Sequence, residues 1–357
     1  MNSPDLLGAT AELVAIASVS HEERAIADLV QARLARAGHL RLRRTGNNIV
    51  ASTELGLPRR VVLAGHLDTV PPTVGEDPGS VVIDGDRLVG LGAADMKGGL
   101  AVMLWLAETL KHPAVDLTFV FYACEEVEAR FSGLSTVFAE MADVTHASAA
   151  ILLEPTGAVV EAGCQGTLRL GITLAGRRAH TARPWMGRNA IHRLGPLLQG
   201  IGGFSAREPV IDGCQFREAL QAVGVSGGVA ANVVPDSVEL TLNHRFAPDR
   251  DLSGAQAALL ELIGPFLEPT DQVRVLDSAP SAPPSLSLEI FGSLVETSGA
   301  PPRAKLGWTD VARFASVGVP AVNFGPGEPT VAHTAGEWVS REQLDVVGAT
   351  LAKLLGG

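Results

Sequence analysis

The 357-residue sequence predicts a mixed α/β fold with a smaller α+β domain inserted into it. Three continuous apolar runs, 61–65, 117–124 and 149–153, are rich in β-branched or aromatic residues. Unbroken runs of strand length belong to strands covered on both faces of a sheet. Gly98 to Lys111 reads as a helix between two of them, and alternating strands and helices build a layered α/β architecture. Beyond about residue 165 the pattern changes to alternation. Leu168, Leu170, Ile172 and Leu174 share one face of a half-exposed strand, and Val238, Leu240 and Leu242 do the same.

Residues 5 to 37 read as two helices with a polar break, where Ser20 and Glu23 have capping-box spacing. In the alternating region, helices are expected over Asn189 to Gln199 and Leu252 to Phe266. The stretch 279–284 is a Pro-rich connector, after which the α/β character returns with a helix near 286–298 and a strand at 319–324. The expected division is therefore 1–165 with 281–357 as one discontinuous domain, and 166–280 as the insert.

Hydrophobic residues make up 46% and charged residues 19%, a globular balance, and no apolar run approaches the length of a membrane span. The net charge of −11 argues against nucleic acid or an anionic membrane as partner. Met1 to Asp5 lack the basic and apolar regions of a signal peptide. Cys124, Cys164 and Cys214 contain no C-x-x-C pair. Both features point to the cytoplasm.

The chemistry lies where apolar runs end. His66 follows 61–65, Glu125 and Glu126 follow 117–124, and Glu154 follows 149–153. Carboxyl ends of parallel strands are where open α/β sheets place ligands. Asp95 lies in the glycine-rich stretch 90–99, and His333 follows the strand at 319–324. Two imidazoles and three carboxylates suit two divalent ions sharing a bridging carboxylate, as in a two-zinc amidohydrolase. One of Glu125 and Glu126 can bind metal while the other faces substrate as general base. Asp68, two residues beyond His66, points to the same face of an extended segment and could accept a hydrogen bond from its other ring nitrogen. His180, among Arg177, Arg178, Arg183 and Arg188, could donate to a substrate oxygen or clamp an anion. The stretch 90–95 lacks the third glycine of a dinucleotide fingerprint, and no G-x-S-x-G element is present. His112, His146 and His192 read as surface residues, and Cys124 as packing.

These segments resemble the zinc-dependent aminoacylase/carboxypeptidase superfamily across the whole chain. They are His66-Leu67-Asp68-Thr69-Val70-Pro71, Asp95-Met96-Lys97-Gly98-Gly99, Cys124-Glu125-Glu126, Glu154-Pro155 and His333. Within the superfamily the chain is most similar to the actinobacterial type of succinyl-diaminopimelate desuccinylase, on 178–192, 305–314 and 323–333. The resemblance implies a zinc-peptidase-like mixed sheet with a ferredoxin-like lid and dimerisation domain. It implies two Zn²⁺ per chain, replaceable by Co²⁺, with Asp95 bridging, His66 and Glu154 completing one site, and Glu126 and His333 the other. It makes Glu125 the base, with Asp68 and His180 as further catalytic residues, His180 acting from a partner subunit of a homodimer. Arg178, Asn232, Arg245 and Thr309 would bind a substrate carrying several carboxylates, N-succinyl-L,L-2,6-diaminopimelate, on the route to diaminopimelate and lysine. The alternatives are a related deacylase such as an acetylornithine deacetylase, a dipeptidase, or a catalytically silent binding protein of the same fold. The chain carries Leu91 and Gly99 where many relatives have Arg and Ser, and 164–167 lacks the Arg and Ser of the proteobacterial desuccinylases.

Overall fold

The structure is a computed structural model that describes residues 4–356. The chain forms two compact units. The first holds the described residues up to Ala162, Pro284–Arg303, and the stretch from Arg313 onward. The second holds Gly163–Pro283 and Ala304–Ala312. The stretch 304–312, expected with the first unit, packs in the second.

The first unit is built on an eight-stranded mixed sheet. Its order is Arg41–Thr45, Asn48–Ser52, Asp116–Tyr122, Arg60–His66, Ala149–Leu152, Ala321–Asn323, Glu161–Ala162 and Arg303–Ala304. The four strands from Asp116–Tyr122 to Ala321–Asn323 run parallel. Three of these four are the continuous apolar runs, and they are buried almost throughout. Helices Leu6–Val14, Arg24–Ala35, Gly98–Thr109 and Arg341–Gly356 bury apolar side chains in the same unit. Each fully buried Leu, Val or Phe there contributes about 1.5–3 kcal/mol. The parallel register sets His66 level with Tyr122, so the segments that follow these strands leave the same edge of the sheet.

The capping box expected at Ser20 and Glu23 does not form. The helix begins at Arg24 without a side-chain cap. The Ser20 hydroxyl instead donates to Asp68 (2.7 Å), and the Glu23 carboxylate accepts from the His21 and Cys124 backbone N–H groups. Both side chains are used by the functional site.

The second unit is an antiparallel four-stranded sheet in the order Ala219–Gly227, Ser237–Phe246, Gly166–Ala175, Gln272–Ala279. Chain order is strand, helix, two strands, helix, strand, with Leu194–Gly202 and Leu252–Ile263 as the helices. That is the ferredoxin-like arrangement. The alternation reads out directly. Leu168, Leu170, Ile172 and Leu174 face the core with Val238, Leu240 and Leu242, under Leu197, Ile201, Leu259 and Ile263.

One polar side chain breaks that apolar face. His244 is 3% exposed between Phe204 and Phe246, and neither ring nitrogen has a hydrogen-bond partner among the described residues. Burial, with the charge of Arg250 nearby, pushes its pKa down to about 4. The folded state therefore refuses a proton that the unfolded chain accepts below about pH 6.5. Stability should fall as pH drops from about 6.5 to 4, by about 3 kcal/mol for this group. Urea unfolding of wild type and His244→Phe across that range checks this. An equal acid loss in both proteins would show that His244 does not carry it.

Candidate functional site

His66 ends its strand almost fully buried. Its Nδ1 lies 3.0 Å from the Asp68 carbonyl oxygen, which makes Nδ1 the donor and turns Nε2 toward Asp95 Oδ1, 3.1 Å away. The expected bond to the Asp68 carboxylate is therefore replaced by one to its backbone, since the nearest carboxylate oxygen is 3.7 Å off. The Asp68 carboxylate is used elsewhere. It accepts from the backbone N–H of Glu125 and of Glu126, each at 3.0 Å, and from Ser20. Asp68 thus orients the glutamate pair as well as the histidine.

The glutamate pair follows the strand Asp116–Tyr122 through Ala123 and Cys124. Cys124 adopts a left-handed backbone (φ 58°) just beyond the strand rather than packing within it. Its N–H and thiol both meet the Glu23 carboxylate at 3.2 Å. Burial and Glu23 push the thiol up to about 12, so Cys124 stays protonated. The Ala123 N–H is held by the Asn48 side chain at 2.9 Å. Four side chains, Glu23, Asn48, Asp68 and Ser20, therefore fix the path of this loop.

Asp95 lies in an irregular turn after the left-handed Gly92, and its peptide bond to Met96 is cis. Its two oxygens face different imidazoles. Oδ1 is 3.1 Å from His66 Nε2, and Oδ2 is 3.4 Å from His333 Nε2. His333 Nε2 also lies 2.8 Å from Glu126 Oε1. His66, Asp95 and Glu126 each bring one ligand atom within 4.8 Å of the others. Glu154 is buried, and its charge and that of Glu125 act on His66.

The electrostatics show what this cluster requires. Burial alone would lower the His66 pKa. The Asp95 contact and the Glu154 and Glu125 charges outweigh it and hold the ring well above its ordinary value. Contacts with Asp95 and Glu126 raise His333 to about 10. Burial works against the Asp95 carboxylate, but both imidazoles draw it well below the usual range. The carboxylates thus hold positive charge against themselves, with imidazolium taking the part of a cation. Imidazole and carboxylate are both established zinc ligands, and a carboxylate with one oxygen toward each histidine suits a bridge between two ions. The residues present fit a two-metal centre.

Two supporting carboxylates were not legible beforehand. Glu23 reads as a helix cap. Glu337 belongs to none of the motifs in the sequence, yet it is buried and bonded to the turn that carries Asp95. Its place directly before the half-buried strand Trp338–Ser340 says that a buried acid there must be paired, but not with which turn. The departure at position 99 also has a cause. A Cβ on Gly99 would meet the Leu153 carbonyl oxygen at 2.3 Å, beside Glu154.

The remaining predicted residues lie in the second unit. His180 is exposed, and its Nδ1 accepts from the Ala182 N–H at 3.0 Å, leaving Nε2 to carry the proton. Its backbone bridges to Val233, and the Thr181 N–H donates to the Asn232 carbonyl, so the His180 loop and Asn232 are neighbours. Arg178 pairs with Asp236 at 2.7 Å across an exposed surface, a contact of small energy. Arg245 is half-buried, on the face of its strand opposite the core. Burial and Arg169 lower its pKa. The Thr309 hydroxyl is buried without a hydrogen-bond partner among the described residues.

The chain is similar to known proteins over nearly its whole length. A Mycobacterium tuberculosis protein provisionally named succinyl-diaminopimelate desuccinylase DapE is 47% identical over 99% of this chain and 98% of its own. The succinyl-diaminopimelate desuccinylase of Corynebacterium glutamicum is 42% identical over 98% of this chain and 97% of its own. Aminopeptidase PepT from Bacillus cereus has the same fold, with a TM-score of 0.79 at 19% identity over 98% of this chain and 97% of its own. The profile of peptidase family M20/M25/M40 matches residues 62–356, a span that contains the whole cluster around Asp95, and the chain belongs to that family.

Proposed function

We infer that this chain is a metal-dependent amidohydrolase that cleaves N-succinyl-L,L-2,6-diaminopimelate to succinate and L,L-diaminopimelate. The reading rests above all on two relatives of that name, similar over nearly their full lengths. The cluster around Asp95 supplies the chemistry. Zinc is the ion proposed, with cobalt as a substitute, held by His66, Asp95, Glu126, Glu154 and His333. When bound it would lower the pKa of the attacking water and polarise the amide carbonyl.

The chain's own residues do the rest. Glu125 takes a proton from the attacking water and delivers it to the departing amine nitrogen, so one water is consumed and a carboxylate and an amine are released. Asp68 keeps Glu125 aimed through its backbone N–H. His180 donates from Nε2 to the developing oxyanion. Arg178, Asn232, Arg245 and Thr309 are assigned to the substrate carboxylates. Arg178 must leave Asp236 to do so, an exchange that a weak exposed pair permits.

Substrate choice tests the reading. A charged-group hydrogen bond contributes about 1.5–3 kcal/mol, so a substrate lacking the succinyl carboxylate should lose roughly 10- to 150-fold in kcat/KM. N-succinyl-diaminopimelate should exceed N-acetylornithine by that margin. Preference for N-acetylornithine, or for a dipeptide, would replace the assignment, and turnover of none would favour a silent binding protein.

A homodimer joined through the second unit belongs to the same proposal. Its edge strand Ala219–Gly227 exposes Val223 and Val225, a surface suited to a second copy. His180→Ala should lower kcat with zinc content unchanged. Mixed with inactive Glu125→Gln chains, it should regain partial activity if His180 acts across the dimer. Heterodimers that form without any rescue would place His180 in its own chain's site or outside the chemistry. No helix among the described residues is long and apolar enough to cross a membrane, and the three cysteines are free. Free thiols support a cytoplasmic location.

A further inference from the structure

Glu337 is 1% exposed and lies four residues beyond His333. Its carboxylate accepts three backbone hydrogen bonds from a single turn. Oε2 takes the Gly92 N–H at 3.0 Å, and Oε1 takes the Ala94 and Asp95 N–H groups at 2.7 and 2.8 Å. Its own carbonyl accepts the Gly90 N–H at 2.9 Å, and its N–H donates to the Thr334 carbonyl at 3.2 Å. One residue therefore ties the turn that carries Asp95 to the turn that carries His333.

The turn needs such a tie. Gly92, Ala94 and Asp95 precede the helix Gly98–Thr109, so their N–H groups have no acceptor in its ladder. Buried N–H groups must find acceptors, and one carboxylate satisfies three of them. Lys97, also buried, supplies compensating positive charge within electrostatic reach, while its own ammonium donates to the Ile16 carbonyl at 2.8 Å. An acid buried to this degree and bonded through both oxygens to the turn beside the ligand cluster is costly to keep unless its position matters.

We propose that Glu337 is a positioning residue for the metal centre, whose carboxylate fixes the 92–95 turn so that Asp95 presents one oxygen to each histidine. It touches neither metal nor substrate and acts only through Asp95. The proposal rests on the two-metal reading of the cluster.

Glu337→Gln tests it, because the amide keeps the shape but replaces one acceptor oxygen by an NH₂ group facing an N–H. Zinc affinity is read by competition with a chromophoric chelator on stripped protein, with the metal-free melting temperature alongside. Partners that orient a ligand typically govern 10- to 100-fold in metal affinity, so zinc binding should weaken by about that factor. Glu337→Asp, which keeps both acceptor oxygens on a shorter side chain, should fall between wild type and Glu337→Gln. In an Asp95→Asn background, Glu337→Gln should cost little further affinity, since the two act as one unit.

Zinc affinity within about threefold of wild type in Glu337→Gln, with only the metal-free melting temperature lowered, would overturn the proposal and leave a purely structural role. Additive losses in the double variant would overturn it too. If Glu337→Gln does not fold, the Glu337→Asp affinity decides by the same threshold. Wild-type protein that takes up no zinc would overturn the metal-centre reading itself, an outcome distinct from unaltered affinity in the variant.

Discussion

Glu125→Gln is expected to lower kcat by about 10²- to 10⁴-fold, the range for loss of a general base, while zinc content stays at the wild-type level. The amide fills the same space but cannot take the proton from water. The two glutamates differ in their surroundings. Glu126 Oε1 lies 2.8 Å from His333 Nε2 and within the cluster formed with His66 and Asp95. Glu125 lies outside that group of three, and its charge bears on His66. Glu126→Gln should therefore lose metal from one site, which Glu125→Gln should not. Metal analysis and steady-state kinetics of the two variants check the pair. Metal loss in Glu125→Gln with retention in Glu126→Gln would reverse the assignment.

Removal of the metal should abolish hydrolysis completely, and zinc or cobalt should restore it. Without a cation, two imidazoles face the carboxylates around Asp95. His333 titrates near 10 in that state and His66 well above its ordinary value, so both rings carry protons at pH 7. A metal can bind only neutral imidazole, so uptake must expel these protons. Because both pKa values are raised, metal binding weakens as pH falls and strengthens as it rises toward the His333 value. Calorimetry in buffers of differing ionisation enthalpy should show close to two protons released per chain at pH 7. No net release would mean that the rings are already neutral.

The sheet and its ligand-bearing edge were legible because both depend on local pattern. Continuous apolar runs could hardly be anything but covered strands, and polar residues at their ends had one edge to occupy. The alternation from Leu168 to Leu174 fixed the inner face of the second sheet just as directly. What the sequence hid were contacts between distant segments. Ser20 and Glu23 have the spacing of a helix cap, but tertiary partners at Asp68 and Cys124 compete better for their oxygens. Asp68 was read as the carboxylate partner of His66, whereas the loop after Tyr122 needs acceptors for two N–H groups and takes both oxygens. Glu337 lies 242 residues from Asp95, and no local pattern announces a bond at that separation.

The most direct test of the account is a zinc titration of stripped wild-type protein, with bound metal and hydrolysis of N-succinyl-diaminopimelate followed together. The arrangement of His66, Glu154, Glu126 and His333 about the two oxygens of Asp95 predicts no activity without metal and full activity when two ions are bound per chain. Full activity in zinc-free protein would contradict it.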